Sequence, residues 1–294
     1  MNREMTAMTS RSRTVTRAVL DDLSMIARNA AETIIMPRFG RLSDEDIRTK
    51  TSPSDLVTIA DILSEDYIAG QLERLLPGAL LVGEERCCTQ PARIDEAGRA
   101  PLAVTIDPID GTANYAAGLP VFGVMLAVLE YGVPVASVIH DPVTSSSAMA
   151  LLGEGAWIED RTGGITPVQA ARPFAHIEEI TGKIAWRTLP VGDTEQADRH
   201  LRAMTGLWDL RCAAHEYRLV AGGNGHVLAY SRTCLWDHCP GWLLMHEAGA
   251  YGARLNGAPY HPDIAGQGLL YAPDPETWRM VHDALSLLPY HSVK

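Results

Sequence analysis

A chain of 294 residues with 46% hydrophobic content can bury a large core and suits one sizeable domain or two intimately packed halves. Its formal net charge of −11 repels nucleic-acid phosphates and anionic lipid, so binding to either needs a local basic patch. None follows the N-terminal arginines Arg3, Arg11, Arg13 and Arg17, which read as a solvated start or a transit-like segment.

From 14 to 35, apolar residues recur at helical spacing and Pro37 and Gly40 then stop the run, which predicts a long amphipathic helix. A second helix is predicted over 54–76, with Ser54 as its start, Asp61 inside it and Pro77-Gly78 ending it. Short apolar runs at 79–82, 102–106, 121–129, 133–139 and 148–152 read as strands of one sheet. The stretch 119–139 is broken by Gly123, Glu130, Gly132 and Pro134, so it reads as core strands and not as a membrane span. No secretory-type apolar run precedes the first predicted helix. The expectation is a cytoplasmic protein with no membrane and no nucleic-acid partner.

The Gly-, Pro- and Thr-rich stretch 153–187 carries little regular pattern, which places a seam near Pro190 between an N-terminal α+β half (1–190) and a C-terminal α/β half (191–294). Beyond it come a predicted helix 195–204, strand 207–210, helix 213–221, strand 226–230, helix 237–248, strand 269–271 and helix 275–287. This alternation favours an α/β layer with a covered sheet. Five cysteines, Cys87, Cys88, Cys212, Cys234 and Cys239, share no repeated spacing, which argues for reduced thiols. Cys234 and Cys239 flank Asp237, a weak zinc pattern without a second matched pair.

The most informative stretch runs from Val104 to Tyr115. An apolar strand delivers Asp107 at its end, Pro108 stiffens the turn, and Asp110 follows where its carboxylate can return to the same point. Gly111 permits close approach of a ligand to the backbone, and the following N–H groups can open a helix that accepts phosphate oxygens. The same residues also build an Asx-rich β-turn. Further carboxylates punctuate the chain at Asp61, at Glu84-Glu85 and at Asp237 after Trp236; a surface position or an N-cap is the ordinary reading of each one alone.

Taken together, Lys50, Asp55-Leu56-Val57-Thr58 with Asp61, Gly83-Glu84-Glu85, Asp107-Pro108-Ile109-Asp110-Gly111-Thr112 and Trp236-Asp237 resemble the inositol monophosphatase family in order and separation. The resemblance implies a layered α-β-α-β-α sandwich of the inositol monophosphatase/fructose bisphosphatase type, a homodimer, and Li⁺-sensitive hydrolysis of a small phosphate monoester. It implies two or three Mg²⁺ ions, with Mn²⁺ as a substitute. Glu84, Asp107 and the Ile109 carbonyl are expected to hold the first metal, and Asp107, Asp110 and Asp237 the second. Thr112, paired with Asp61, is expected to orient or deprotonate the attacking water, with Glu84 assisting. Gly111, Thr112 and Lys50 are expected to grip phosphate.

On the substrate side, the resemblance assigns Asp110, Ala213, Glu216 and Tyr230. Tyr230 lies seven residues before Asp237, where inositol-processing relatives carry a glutamate that reads ring hydroxyls, and a phenol cannot supply the same paired acceptors. Inositol monophosphate is therefore not the expected substrate. The Tyr230 ring is expected to lie against a base, an imidazole or a sugar face, while His215 and Glu216 read either as replacements for the missing contact or as ordinary helix residues, one of them buried. The alternative is a regulatory family member that binds RNA or protein, with incidental phosphatase activity.

Overall fold

The computed structural model describes residues 15–50, 55–87, 92–173, 176–185, 188–262 and 268–287. Arg3, Arg11, Arg13, Ser54 and Cys88 lie outside the described residues. The first helix, α1 (Arg17–Ala30), starts where Thr16 accepts from the Val19 N–H, and it buries Leu20, Leu23, Ile26 and Ala27. It does not continue regularly to 35. Residues Ala31–Ile35 form a π-helical turn, and the Tyr115 hydroxyl donates to the Ile35 carbonyl at 2.8 Å.

A small hairpin follows, with β1 (Ile47–Thr49) antiparallel to β2 (Leu56–Thr58). The predicted helix over 54–76 is therefore shorter, because Leu56-Val57-Thr58 pairs as a strand and α2 runs Ile59–Leu75. Thr58 is its true N-cap: the Thr58 hydroxyl accepts from Ala60 N–H while the Asp61 carboxylate accepts from Thr58 N–H. Such a reciprocal cap stabilises a helix start by about 1 kcal/mol. It also places Asp61 in the first helical turn, with its side chain fixed.

Next come β3 (Leu80–Gly83), α3 (Glu84–Cys87), α4 (Ala92–Ala97), β4 (Ala103–Asp110), α5 (Thr112–Ala116), β5 (Gly123–Glu130), β6 (Val133–Asp141), β7 (Ser146–Leu151), β8 (Gly155–Glu159) and β9 (Ile165–Pro167). Strands β3 to β9 form a seven-stranded sheet in sequence order, with β3 parallel to β4 and the remaining pairs antiparallel. Its central strands read as unbroken apolar runs because both faces are covered, and β5 is buried from Gly123 to Leu129.

The rest of the chain supplies β10 (Thr181–Ile184), α6 (Thr194–Ala203), β11 (Gly206–Leu207), α7 (Ala213–Ala221), β12 (Val227–Tyr230), α8 (Leu235–Glu247), β13 (Tyr251–Arg254), β14 (Leu269–Ala272) and α9 (Pro275–Ala284). Their five strands run β11-β10-β12-β14-β13. Alternation along β12 shows the sheet's place in the sandwich. Leu228 and Tyr230 enter the main core, whereas Val227 and Ala229 enter a second cluster with Trp278 and Val281 of α9. Helices α1 and α2 thus pack on the first sheet, α7 and α8 between the sheets, and α6 and α9 outside the second.

Three expectations change. The stretch 153–187 contains β8, β9 and β10, and the chain passes from one sheet to the other between Pro167 and Thr181, upstream of Pro190. Short strands carry too few residues to show a period of two, and exposed β9 at the sheet edge tolerates its Pro167. The predicted strand 207–210 is only Gly206–Leu207. Helix α8 begins at Leu235, so Pro240 lies inside it and not in its first turn; packing against β4 to β7 offsets the backbone hydrogen bond that proline forgoes. Among the described residues, no helix is long and apolar enough to cross a membrane.

Candidate active site

The pleat of a strand sends residues three apart to opposite faces. Asp107 and Asp110 nevertheless converge, because β4 carries a bulge between them: Asp107 pairs with Met125 and Asp110 with Gly123, which leaves one extra residue on β4. Gly111 then turns the chain with a positive φ of 86°. A Cβ there would lie 2.9 Å from the Val121 carbonyl and 3.2 Å from Cys212 Cβ, so both conformation and space require glycine. From the far half of the chain, the first turn of α8 contributes Asp237. Asp107, Asp110 and Asp237 each place a carboxylate oxygen within 4.8 Å of the others.

This cluster is electrostatically costly. Burial first, then Glu84, Asp237 and Asp110, push the Asp107 carboxyl well above the usual range. Burial, Asp110 and Glu84 do the same to Asp237. Asp110 is raised by burial, which outweighs the N–H and S–H groups that favour its charge. Like charges about 4 Å apart repel by about 4 kcal/mol at an effective dielectric near 20. Asp107 Oδ1 is buried with no hydrogen-bond partner among the described residues. Hard oxygen donors of this kind, one of them orphaned, fit a divalent cation such as Mg²⁺.

Two further carboxylates arrive from α2 and α3. Asp61 Oδ2 accepts from Thr58 N at 2.8 Å and from Thr58 Oγ1 at 2.5 Å, leaving Oδ1 to face Thr112 Oγ1 at 3.2 Å. The Thr112 hydroxyl also lies 2.9 Å from the Ile109 carbonyl, so one proton serves two acceptors. Burial raises Asp61 to about 7. Glu84 receives Lys50 Nζ at 2.8 Å, and Glu85 receives the same ammonium at 2.6 Å. Burial opposes the Lys50 charge, but Glu84 and Glu85 override it and hold its pKa above the ordinary lysine value. Lys50 thus ties down the two glutamates with two of its three donors. Lys50, Glu84, Ile109 and Thr112 line a cleft of about 390 Å³ together with Asp107, Asp110 and Asp237, with Cys87, Ile94 and Trp236 on its remaining wall; Asp61 and Glu85 are not among its lining residues.

The expected substrate side is built differently. Asp110 Oδ2 accepts from Ala214 N at 2.6 Å and Cys212 Sγ at 3.0 Å. Glu216 Oε1 accepts from Leu210 N at 3.0 Å, and Oε2 accepts from Tyr230 OH at 2.9 Å and meets Lys183 Nζ at 3.0 Å. Lys183 also lies 4.0 Å from the Tyr230 ring centroid, and Tyr217 stacks on that ring at 5.5 Å. Tyr230 is 5% exposed, which leaves little face for a base or imidazole. His215 Nε2 lies 3.1 Å from the Phe122 carbonyl, and Ala213 is buried at the start of α7.

The cysteines do not join a metal cluster among the described residues. Cys239 is buried against the Tyr260 hydroxyl at 3.5 Å, and burial pushes its thiol up to about 12. Cys234 lines the cleft. Sequence reasoning missed Lys183, hidden in a stretch read as irregular, and Asn114, whose amide ties Val121 O and Leu210 O at 2.9 and 2.8 Å. It also missed Glu65, four residues after Asp61 on α2; that helical spacing was the available signal.

Known proteins resemble this chain over most of its length. A histidinol-phosphatase of Streptomyces coelicolor is 29% identical over 252 residues, covering 82% of this chain and 89% of its own. The Nus factor SuhB of Xylella fastidiosa is 26% identical over 239 residues, covering 79% and 80%. The solved inositol monophosphatase II of Staphylococcus aureus superposes with a TM-score of 0.76 at 21% identity, covering 92% and 94%. The inositol monophosphatase family model matches residues 17–286, and with the carboxylate constellation in place the chain belongs to that family of phosphatases.

Proposed function

We propose that this chain is a Mg²⁺-dependent phosphatase that hydrolyses a small phosphate monoester other than inositol monophosphate, with Mn²⁺ able to substitute. The carrying observation is the convergence of Asp107, Asp110 and Asp237 within 4.8 Å around the orphaned Asp107 Oδ1. Glu84, Asp107 and the Ile109 carbonyl are assigned to one ion, and Asp107, Asp110 and Asp237 to a second. When bound, Mg²⁺ supplies charge neutralisation at the phosphoryl oxygens and acidifies water.

The chain's own residues do the rest. Thr112 Oγ1 orients the attacking water, passing its hydroxyl proton to Asp61 Oδ1 as it accepts one from the water. Backbone N–H groups of Gly111 and Thr112 and the third Lys50 donor hold phosphate oxygens. The leaving oxygen takes one proton from solvent and Asp61 gives its proton back to solvent, which balances the hydrolysis.

The substrate reading rests on spent acceptors. Both Glu216 oxygens are engaged by the protein, and Glu216 and Tyr230 are buried, so ring hydroxyls find no accessible pair of acceptors there. A site built to hydrogen-bond a hydroxyl can reject analogues by about 10⁴-fold, and one without such groups discriminates poorly. A homodimer, as in the family, completes this reading, and light scattering measures it.

The test is phosphate release from inositol, histidinol, sugar and adenosine phosphates, with Mg²⁺, with EDTA and with Li⁺, for the wild type and Tyr230→Glu. Turnover untouched by EDTA removes the metal assignment. A tenfold or greater wild-type preference for inositol monophosphate, about 1.4 kcal/mol, removes the substrate reading. The SuhB relative motivates a second reading, a regulatory member that binds RNA or protein; the net charge of −11 weighs against it, and RNA binding by an inactive Asp107→Asn variant would support it.

A further inference from the structure

Helix α2 presents two buried carboxylates one turn apart, Asp61 at 0% and Glu65 at 1% exposure. The first holds Thr112. The second reaches across to the junction of β3 and α3, where Glu65 Oε2 accepts from Glu85 N at 2.7 Å and Oε1 accepts from Arg86 N at 3.0 Å. The Arg86 guanidinium braces the same oxygen at 3.6 Å. Burying a carboxylate is costly unless its lone pairs are satisfied, and here they are satisfied by the backbone that carries Glu84 and Glu85.

Gly83 completes the arrangement. A Cβ at Gly83 would collide with the Glu65 carboxylate, whose three terminal atoms are its nearest neighbours, while its φ lies outside the left-handed region. Glycine is needed there for space alone. The directions of Glu84 and Glu85, which share Lys50, follow from the backbone that Glu65 grips.

We propose that Glu65 is a positioning residue that aims Glu84 into the cleft through the Glu85 and Arg86 N–H groups, with Gly83 kept small to admit it. This rests on the reading of Glu84 as a metal ligand. Helix α2 is then a jig: one carboxylate sets the water-orienting threonine, and the next sets a carboxylate of the cation site.

The test uses the full chain, with Mn²⁺ binding read directly by electron paramagnetic resonance and the Mg²⁺ dependence of phosphate release read alongside. Glu65→Gln keeps shape but presents one acceptor oxygen to two donors. It is expected to weaken Mn²⁺ binding and raise the half-saturating Mg²⁺ concentration by about 10- to 100-fold, with the rate at saturating Mg²⁺ largely retained. Gly83→Ala is expected to do the same from the opposite side, and Gly83→Ala added to Glu65→Ala should cost nothing further, since the collision partner is gone. Wild-type Mn²⁺ affinity in folded Glu65→Gln and Gly83→Ala overturns the proposal, as does a loss that only follows a lowered melting temperature. Asp107→Asn is the separate control: unchanged Mn²⁺ binding in that variant overturns the metal site itself.

Discussion

The cleft has a first wall of carboxylates, and a second wall of packed side chains meets it at Asp110 through Cys212 without itself lining the cleft; the two are built on opposite plans. The wall of Asp107, Asp110 and Asp237 brings like charges together and leaves Asp107 Oδ1 unpartnered. In the wall of Cys212, Glu216, Tyr230 and Lys183, the acceptor oxygens of Glu216 and the Tyr230 hydroxyl are already engaged by the protein. Under the proposed function, the first wall holds its carboxylates in reserve for a cation, whereas the second is finished by packing. On that reading the two walls should respond to different perturbations: removing a charge should disable the first, and removing a partner should destabilise the second.

The largest expected effect breaks the first wall. Asp107→Asn should lower the phosphate-release rate at least about 10³-fold, the upper range for one electrostatic group, and weaken metal binding with it. Near-normal values of both in a steady-state and Mn²⁺-binding measurement would place the bridging ligand elsewhere. On the second wall, Glu216→Ala strips the partner from Lys183 and from Tyr230 OH. Urea unfolding should show a loss of about 3–5 kcal/mol, the range for breaking a buried pair. A loss below 1 kcal/mol, within the range of exposed pairs, would mean that the Lys183 pair contributes as a surface contact does.

A smaller effect sharpens the contrast within the first wall. Thr112→Ala should slow turnover about 10²-fold while Mn²⁺ affinity stays near wild type, because its hydroxyl meets Asp61 and the Ile109 carbonyl and is not assigned to a metal. An equal fall in both would make it a ligand.

The smallest concerns the anchor of α7. Arg218 donates to the Ile139 and Ser146 carbonyls and to Ser146 Oγ, next to buried His140. Burial, then the Arg218 and Arg28 charges, lower His140 from 6.5 to about 3. The folded state thus excludes a proton that the unfolded chain binds below 6.5. The stability from keeping His140 neutral is present above pH 6.5 and is lost as pH falls toward 3, at up to about 1.4 kcal/mol per pH unit. His140→Gln should flatten that part of the pH–stability curve, and an unchanged slope would show that other groups carry it.

Much of the first wall was legible because it is local. Asp107, Pro108, Ile109, Asp110, Gly111 and Thr112 are contiguous, so the strand, bulge and glycine turn that join the two carboxylates are written in one stretch. The second wall joins Lys183, Leu210, Glu216 and Tyr230 across two strands and a helix, and Lys183 sits in a segment too short and irregular to show a period. The sequence marks Tyr230 as a departure from the pattern that the resemblance implies. Its partner was not foreseen, because a phenol's preference for Glu216 over a ligand is decided by burial.

By itself, the sequence determined which elements carry apolar faces, that a dense carboxylate segment ends β4, and which family pattern the acidic blocks match. Those follow from periodicity and contiguous residues, which need no knowledge of what lies across the core. Only the tertiary structure decided that Asp237 closes the cluster within 4.8 Å, that Thr58 and not Ser54 starts α2, that Pro240 is tolerated inside α8, and that Glu65 reaches the Glu84–Glu85 turn. Each depends on groups far apart in the chain competing for the same hydrogen bonds and the same buried space, and that competition is resolved only when the layers pack.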